Sequence, residues 1–424
     1  MRPPFVCCAL LFVLPLFVLA APGQAEPASV SADRVYVDAV LDGLVKAGVL
    51  TAAQAASIKE QASAAAAQAA AAPAAVAVTP PPSKPASKKW YDTVKISGYF
   101  QGRWTDYLDD QEKSADANTK VEVGNEFQVR RARTKFEFTP TDDARVEIEA
   151  DWGDEKPTVK AAFIENALSP KGWWTRLGQQ KVPFGFELVQ SSGTRLPFES
   201  SNLVRREFPG EYDTGLVAFW TRPQDRALFA AGKSSAWAPG DQGTFALGVF
   251  NGQGTSDKPW GDTQTGDLND SKHLVARYAR PFTWRGDAYA EVGASYFTGS
   301  YYSVKAQRNY DDNLLGLHAY LAPDPLGLQA EYYTGETEGD DLQGWYAMGL
   351  WRTGPKATAY LRYDDYEGRR KGNGTSPYDR HRTGVGYAYQ VDSKVRLTAQ
   401  YDLERLETTN KDNDQLGMQL QVSF

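Results

Sequence analysis

The chain has 424 residues, of which 42% are hydrophobic and 23% are charged, and its formal net charge at pH 7 is -7. This negative charge excludes a generally basic surface of the kind that binds nucleic acid. The mean hydropathy of -0.49 excludes a bundle of membrane-spanning helices, because such a bundle needs several runs of about 20 apolar residues.

The N-terminus has the pattern of a secretory signal peptide over residues 1–25. Arg2 precedes an apolar run over 5–21, and a small-x-small cleavage site follows at 23–25. We therefore expect export and a mature chain that begins near Glu26. The only two cysteines lie within the signal, so the exported chain would contain no disulfide and no cysteine-based metal site.

Residues 26–72 predict a helical periplasmic segment, and residues 73–89 predict an extended linker. Apolar residues recur at helical spacing over 35–45, and Thr51 with Gln54 predicts a capping box that opens a second helix, which extends through Ile58. The linker is rich in Pro, Ala, Ser and Lys. Two roles stay open for the helices, a stalk that pairs with its copies or a simple spacer, because the apolar stripe is short for a coiled coil.

After the linker the hydrophobic period becomes alternating. In residues 94–104, 145–152, 357–364 and 395–404, apolar side chains alternate with polar or charged ones, and adjacent side chains on a strand point to opposite faces. The frequent Tyr, Trp and Gly fit either a transmembrane β-barrel or a soluble periplasmic enzyme. The many charged positions decide for the barrel, because a dry core would penalise them and a wet lumen accepts them. The amphipathic last strand ends on Phe424, which resembles the C-terminal signature of bacterial outer-membrane barrels.

The predicted fold is an all-β, sixteen-stranded antiparallel transmembrane barrel over residues 90–424. Short turns and long polar loops then alternate, which places both termini at the short-turn, periplasmic side. Residues 222–242 fit poorly as a turn, and part of them could be a further strand, so we place them outside the barrel. The strands are predicted near 93–105, 126–138, 144–152, 158–168, 173–182, 213–221, 243–251, 271–281, 286–297, 310–321, 326–336, 341–353, 356–365, 380–391, 394–404 and 413–424.

Several stretches of the barrel sequence resemble the phosphate-selective porin O/P family. They are Leu-Gly-Gln-Gln-Lys-Val-Pro-Phe-Gly-Phe-Glu at 177–187, Arg-Arg-Ala-Arg at 130–133, Leu-Val-Arg-Arg-Glu-Phe at 203–208 and the terminal Phe424. The resemblance covers about 90–424. It implies a trimeric channel of the bacterial outer membrane, in which the segment after the first stretch folds inward to constrict the pore.

Candidate residues for anion selection follow from position in this pore. Basic residues of the second strand share one lumen-facing parity, one arginine lies on the adjacent first strand, one lysine sits where the family narrows, and three arginines lie in the inward segment 183–212. A few such groups can outweigh the net acidity of the chain, because charges beyond the Debye length of about 8 Å have little effect on an ion. The candidates are Lys181, Arg131, Arg133, Lys135, Arg195, Arg205, Arg206 and Arg103.

The alternative role for these residues is structural pairing, which would tie down the loop and leave weak or no selectivity. The lumen-facing parities of the third and fifteenth strands are rich in acids, so a continuous arginine ladder is not evident. The carboxylates available for pairing are Glu137, Glu147, Glu149, Glu199 and Glu207.

The sequence thus predicts passive diffusion of small anions, phosphate or polyphosphate first, with a weakly selective general porin as the alternative. The expected partners are these anions, outer-membrane lipid and lipopolysaccharide, and further copies in a homotrimer, but no nucleic acid. The three histidines are isolated along the chain and no Gly-rich phosphate loop occurs, so we expect no enzyme, cofactor or metal site. Acidic outer segments at 109–112, 338–341 and 411–414 either bind divalent cations or are merely solvated.

Overall fold

A computed structural model gives the fold as two units, Met1–Ala86 and Ser87–Phe424. The predicted signal peptide, the linker 73–89, the acidic segment 109–112 and most of residues 26–50 lie outside the described part of the chain. The described residues are 42, 45–46, 51–71, 90–108, 125–153, 157–167, 171–235, 237–255, 258–259, 270–303, 307–337, 339–368, 379–406 and 411–424.

The first unit contains helix α1, Ala52–Ala71. The predicted capping box is present, since the backbone N–H of Gln54 donates to Thr51 Oγ1 at 3.3 Å and the backbone N–H of Thr51 donates to Gln54 Oε1 at 2.9 Å. The alanine-rich stretch continues this helix beyond its predicted end at Ile58, because alanine has the highest helix propensity. None of the described helices is long and apolar enough to cross a bilayer.

The second unit is a closed antiparallel barrel, which confirms the predicted fold. Each long strand pairs with the next, and β1 pairs with both β2 and β16, so the sheet has no free edge. The sixteen long strands that close the barrel, among the described residues, are β1 Val94–Tyr107, β2 Asn125–Thr141, β3 Ala144–Asp151, β4 Thr158–Ala167, β5 Trp173–Lys181, β6 Tyr212–Trp220, β7 Phe245–Phe250, β8 His273–Trp284, β9 Ala288–Ser303, β10 Arg308–Leu321, β11 Leu326–Thr337, β12 Asp340–Gly354, β13 Ala357–Glu367, β14 Arg380–Gln390, β15 Val395–Leu406 and β16 Gln415–Ser423.

The connections distinguish the two ends of the barrel, here called the short-turn end and the long-loop end. Tight turns join β2 to β3 at 142–143, β8 to β9 at 285–287 and β12 to β13 at 355–356, all at one end. Connections at the other end are mostly longer, and two-residue strands at 254–255 and 258–259 pair within one of them. The predicted alternation of short and long connections therefore holds with exceptions, mainly the long connection at 221–244 at the short-turn end and the two-residue connection at 338–339 at the long-loop end.

The outward faces of the strands carry exposed apolar side chains, whereas many inward positions carry charges. Phe127 is 86% exposed, Leu247 62% and Met418 59%, while Arg277 and Arg362 are buried inside the barrel. A continuous apolar exterior is a liability in water and is the surface that a bilayer requires. The alternating pattern in the sequence therefore has the predicted orientation.

Residues 182–211, between β5 and β6, fold into the barrel as predicted, and we call them the inward loop. They include helix α2, Asn202–Glu207. Phe184, Leu203 and Phe208 are at most 1% exposed and pack against inward-facing aromatics of the wall such as Tyr333. The expectation of a wet lumen is therefore wrong on this side of the barrel, because apolar loop residues and wall aromatics build a dry core there.

Residues 222–242 add no strand to the barrel, and the possible strand at 227–231 is a helix. Helix α3 spans Pro223–Ser235 at the short-turn end. Proline is favoured in a first helical turn, and Asp225 in the same turn interacts favourably with the helix dipole. Because the helix contacts β8 and β9, it lies in the mouth of the barrel.

Gly98 allows the first and last strands, β1 and β16, to pair and close the barrel. Its replacement by valine should weaken this closure. The backbone N–H of Phe424 donates to the carbonyl oxygen of Gly98 at 3.0 Å, and the backbone N–H of Gly98 donates to the carbonyl oxygen of Phe424 at 3.3 Å. A Cβ at Gly98 would collide with the carbonyl oxygen of Arg133 and lie 2.6 Å from the Phe424 ring. We expect a loss of about 1–3 kcal/mol, measured as a lower temperature at which the folded barrel loses its fast mobility on an SDS gel. Gly349→Val is the matched control, because a Cβ there meets nothing within 4 Å, and equal stability of the two variants would contradict the prediction.

Candidate functional site

The inward loop leaves part of the barrel open. A cavity of about 890 Å3 lies between the loop, the inner faces of β2–β5 and helix α3. Its charged lining balances, with basic residues Lys135, Arg145, Arg176, Lys181, Arg226 and Lys233 and acidic residues Asp142, Asp143, Glu147, Glu149, Glu165 and Asp241.

Lys181 borders this cavity and holds the base of the inward loop. Its Nζ donates to the carbonyl oxygens of Leu188 at 2.8 Å and Gln190 at 2.6 Å, and it lies 2.6 Å from Oε2 of Glu211. Arg195 approaches the other oxygen of Glu211 at 2.9 Å. Burial opposes ionisation, but Lys181 and Arg195 bring the pKa of Glu211 down to about 2. All three ammonium donors of Lys181 are thus engaged within the protein.

The Pro-Phe-Gly-Phe-Glu motif docks the loop on the opposite wall. Gly185 has a φ of 59°, in the left-handed region that favours glycine, and a Cβ there would collide with the carboxylate of Glu331. That carboxylate accepts the backbone N–H groups of Phe186 at 3.1 Å and Glu187 at 2.6 Å. Nε of Arg277 donates to the Gly185 carbonyl oxygen at 2.9 Å. The motif therefore positions the loop and supplies no free charge.

Glu199, near the middle of the inward loop, faces three arginines of the barrel wall. Its carboxylate lies 2.9 Å from Nη1 of Arg103, 2.8 Å from Nε of Arg130 and 2.7 Å from Nη2 of Arg131. Burial opposes ionisation, but Arg130, Arg131 and Arg103 hold the pKa of Glu199 well below its usual range. These three guanidinium groups and one carboxylate have a summed formal charge of +2, and we call these four residues the Glu199 cluster.

Arg130 belongs to this cluster because of a β-bulge, and the sequence analysis missed it. Simple alternation from Arg131 would place Arg130 on the outer face. In the structure Gln101 pairs with Arg131 and the next residue of β1 pairs with Val129, so Arg130 is the extra residue of the bulge. Both arginines therefore point inward. The consecutive Arg-Arg in an otherwise alternating strand is the one sequence signal for this arrangement.

Arg205 and Arg206 lie side by side on helix α2. The side chain of Arg205 is exposed, and within the described ranges it makes no ion pair, whereas Arg206 is half-buried. Arg380 and Arg382 of β14 act on Arg205 electrostatically, as does Glu199. Arg205 thus adds an accessible positive charge near the Glu199 cluster.

Arg133 and Lys135 lie nearer the short-turn end of β2 than Arg131, and both face carboxylates. Nε of Arg133 is 2.9 Å from Asp151, and its Nη1 is 3.0 Å from Glu149. Nζ of Lys135 is held more loosely, 3.7 Å from Glu137. The structure thus brings Arg103 and Arg131 together at Glu199 and Lys181 and Arg195 together at Glu211. Arg133 and Lys135 form ion pairs apart from both groups.

The histidines and the acidic groups of the lumen form no metal site among the described residues. His318 lies 3.1 Å from Glu291, and His273 lies 3.5 Å from Asp312. Each of these two imidazoles lies beside a carboxylate and packs beside aromatic rings. Among the described residues, neither of these two histidines lies beside a nucleophilic side chain in a catalytic arrangement.

Solved structures with the same fold are outer-membrane channels. A loop-deletion mutant of OmpT from Vibrio cholerae is 12% identical, covers 78% of this chain and 99% of its own, and has a TM-score of 0.51. The DcaP channel of Acinetobacter baumannii is 13% identical, covers 78% of this chain and 97% of its own, and has a TM-score of 0.51. OmpF of Salmonella typhi is 12% identical, covers 78% of this chain and 97% of its own, and has a TM-score of 0.53. At these identities the likeness establishes the fold alone.

Sequence comparison identifies the family. No curated protein sequence matches this chain significantly. The family model described as phosphate-selective porin O and P matches residues 104–424, which is most of the barrel unit and includes the inward loop. The chain therefore belongs to the phosphate-selective porin O and P family of outer-membrane porins.

Proposed function

We propose that this porin conducts small anions, phosphate or polyphosphate first, by passive diffusion past the inward loop. The observation that carries the proposal is the excess of two positive charges in the Glu199 cluster. Accessible Arg205 lies next to this excess. Guanidinium groups suit phosphate because their planar fork can donate to two oxygens at once.

A weakly selective general porin is the second candidate, and the cavity between the inward loop and helix α3 favours it. Basic and acidic groups balance in its lining. The three donors of Lys181 are occupied by protein acceptors, and Arg133 is paired with Glu149 and Asp151, so both offer little to a passing ion. In this case the Glu199 cluster would only hold the loop in place.

Reversal potentials of the purified protein in planar bilayers separate the two candidates. Under a tenfold KCl gradient, an anion-selective porin should give a reversal potential with the sign expected for chloride permeation. Its conductance should saturate at a lower concentration in phosphate salts than in chloride salts. A reversal potential near zero supports the general porin. A cation-selective potential would contradict the proposed anion preference outright.

We also propose the cellular arrangement that the sequence predicts. The short-turn end and the helical segment 26–72 face the periplasm, the barrel assembles as a homotrimer surrounded by lipid and lipopolysaccharide, and the protein has no enzymatic activity. The exposed apolar exterior and the family membership support a barrel in the outer membrane. Crosslinking of the detergent-extracted protein tests the trimer, and a monomer at every concentration would refute it.

A further inference from the structure

Helix α3 presents a distinct face to the cavity below the inward loop. Arg226, Ala230 and Lys233 lie at positions i, i+4 and i+7, so they share one side of the helix, and all three line the cavity. Arg226 and Lys233 are exposed, and within the described part of the chain neither makes an ion pair or a side-chain hydrogen bond. The helix therefore offers two uncommitted cations with a small apolar residue between them.

A neighbouring face of the helix, about 100° around its axis, fixes its position. The carboxylate of Asp225 accepts from Arg222 at 2.7 and 3.0 Å and from Thr244 Oγ1 at 3.0 Å, and Phe229 is fully buried. Gly232 lies so close to the Tyr289 ring that a Cβ would come within 2.6 Å of it. Because the helix is anchored by both polar and packing contacts, its cationic face is held toward the cavity.

Acidic groups of the facing wall are already committed to wall arginines. Nη1 of Arg145 is 3.0 Å from Glu137 and 2.9 Å from Glu147, and its Nη2 is 3.0 Å from Glu165. Arg176 lies 2.9 Å from the same Glu165. Glu149 of the lining is paired with Arg133 at 3.0 Å. The remaining acids of the lining are in the β2–β3 turn and at 241, so a negative group that enters the cavity meets its unpaired cations on α3.

Apolar surface lies in the same cavity. Trp174, Phe163 and Val189 line it, and Trp174 is only partly buried. The Trp174 ring stacks on the Phe219 ring with the two centroids 3.8 Å apart, which fixes its orientation. A volume of about 890 Å3 is in the range of small-molecule sites, which combine apolar walls with a few placed polar groups.

We propose that this cavity binds organic carboxylates that carry an apolar ring. The carboxylate pairs with Arg226 and Lys233 of α3, and the ring lies against Trp174 and Ala230. Inorganic phosphate would use the two cations but gain nothing from the aromatic wall. The inference rests on the proposed anion passage and deepens it, because it names a solute class and a holding point below the Glu199 cluster.

Block of the KCl current through single channels by sodium benzoate tests the proposal, with inorganic phosphate as the second probe. For Arg226→Gln/Lys233→Gln we expect the half-blocking benzoate concentration to rise about tenfold, since two nearby charges are lost. For Trp174→Ala we expect about a fivefold rise for benzoate and no change for phosphate. Arg285→Gln/Lys356→Gln removes two charges from other turns of the short-turn end and should leave the benzoate block unchanged.

Two results would overturn the proposal. One is an unchanged benzoate block in the α3 double variant, and the other is an equal effect of Trp174→Ala on benzoate and phosphate. Should the double variant not fold, Ala230→Glu places a carboxylate between the intact cations, and an unchanged block there overturns it equally. The KCl reversal potential reports on the Glu199 cluster separately, so a failure of the general anion preference remains distinguishable from a failure of this site.

Discussion

Replacing Arg103 and Arg131 together by glutamine should remove most of the anion preference of the channel. The double variant takes the Glu199 cluster from an excess of two positive charges to neutrality, while Arg130 keeps its 2.8 Å contact with the carboxylate. At a separation of one Debye length, about 8 Å at physiological salt, two unit charges change the permeability ratio of chloride to potassium by about tenfold. The reversal potential in a KCl gradient measures this change.

Two controls separate a charge effect from a folding effect. Glu199→Gln raises the excess charge of the cluster, so it should shift the reversal potential in the opposite direction to the arginine variant. Arg285→Gln/Lys356→Gln removes the same number of charges from turns at the short-turn end and should leave the potential near that of the unmodified protein. An arginine variant that keeps the original potential would place anion selection outside the Glu199 cluster.

The barrel could be predicted from the sequence because its determinants are local. Side chains alternate along every strand, and each strand pairs with its neighbour in the chain, so local pattern and global topology agree. The predicted strands at 144–152 and 326–336 differ from β3 and β11 by one residue at one end. For residues 222–242 the sequence predicts a segment outside the barrel with a possible strand at 227–231. It does not predict helix α3 there, because the apolar positions of this helix are few and its packing partners lie on β8 and β9.

The site was less predictable because its contacts join distant parts of the chain. Nothing near Lys181 in the sequence shows that Leu188, Gln190 and Glu211 occupy all three of its donors. Pairing of Arg133 with Glu149 could be anticipated, since both lie on inward parities of neighbouring strands. The bulge that turns Arg130 inward breaks the parity rule itself, so alternation alone could not place it.

Loss of the Glu331 anchor should release the inward loop and enlarge the pore. Glu331→Ala removes the acceptor of two backbone N–H groups and of the Tyr333 and Tyr346 hydroxyls, which donate at 2.9 and 2.8 Å. Each buried group left without a partner costs about 1–3 kcal/mol, so detaching the loop becomes the less costly arrangement. We expect a larger single-channel conductance in KCl and a lower unfolding temperature on SDS gels.

Gly185→Ala should release the loop by a different physical route. Alanine is strained at a φ of 59°, and its Cβ would meet Glu331 and the Tyr333 hydroxyl, so the turn cannot stay seated on the wall. Gly349→Ala, at an outward position with open space around it, should keep the original conductance and stability. Because one variant removes the acceptor and the other displaces the donors, larger conductance in both would identify this anchor as the element that sets the pore size. Unchanged conductance in both variants would show that other contacts hold the loop, such as those of Lys181 and Arg195 with Glu211.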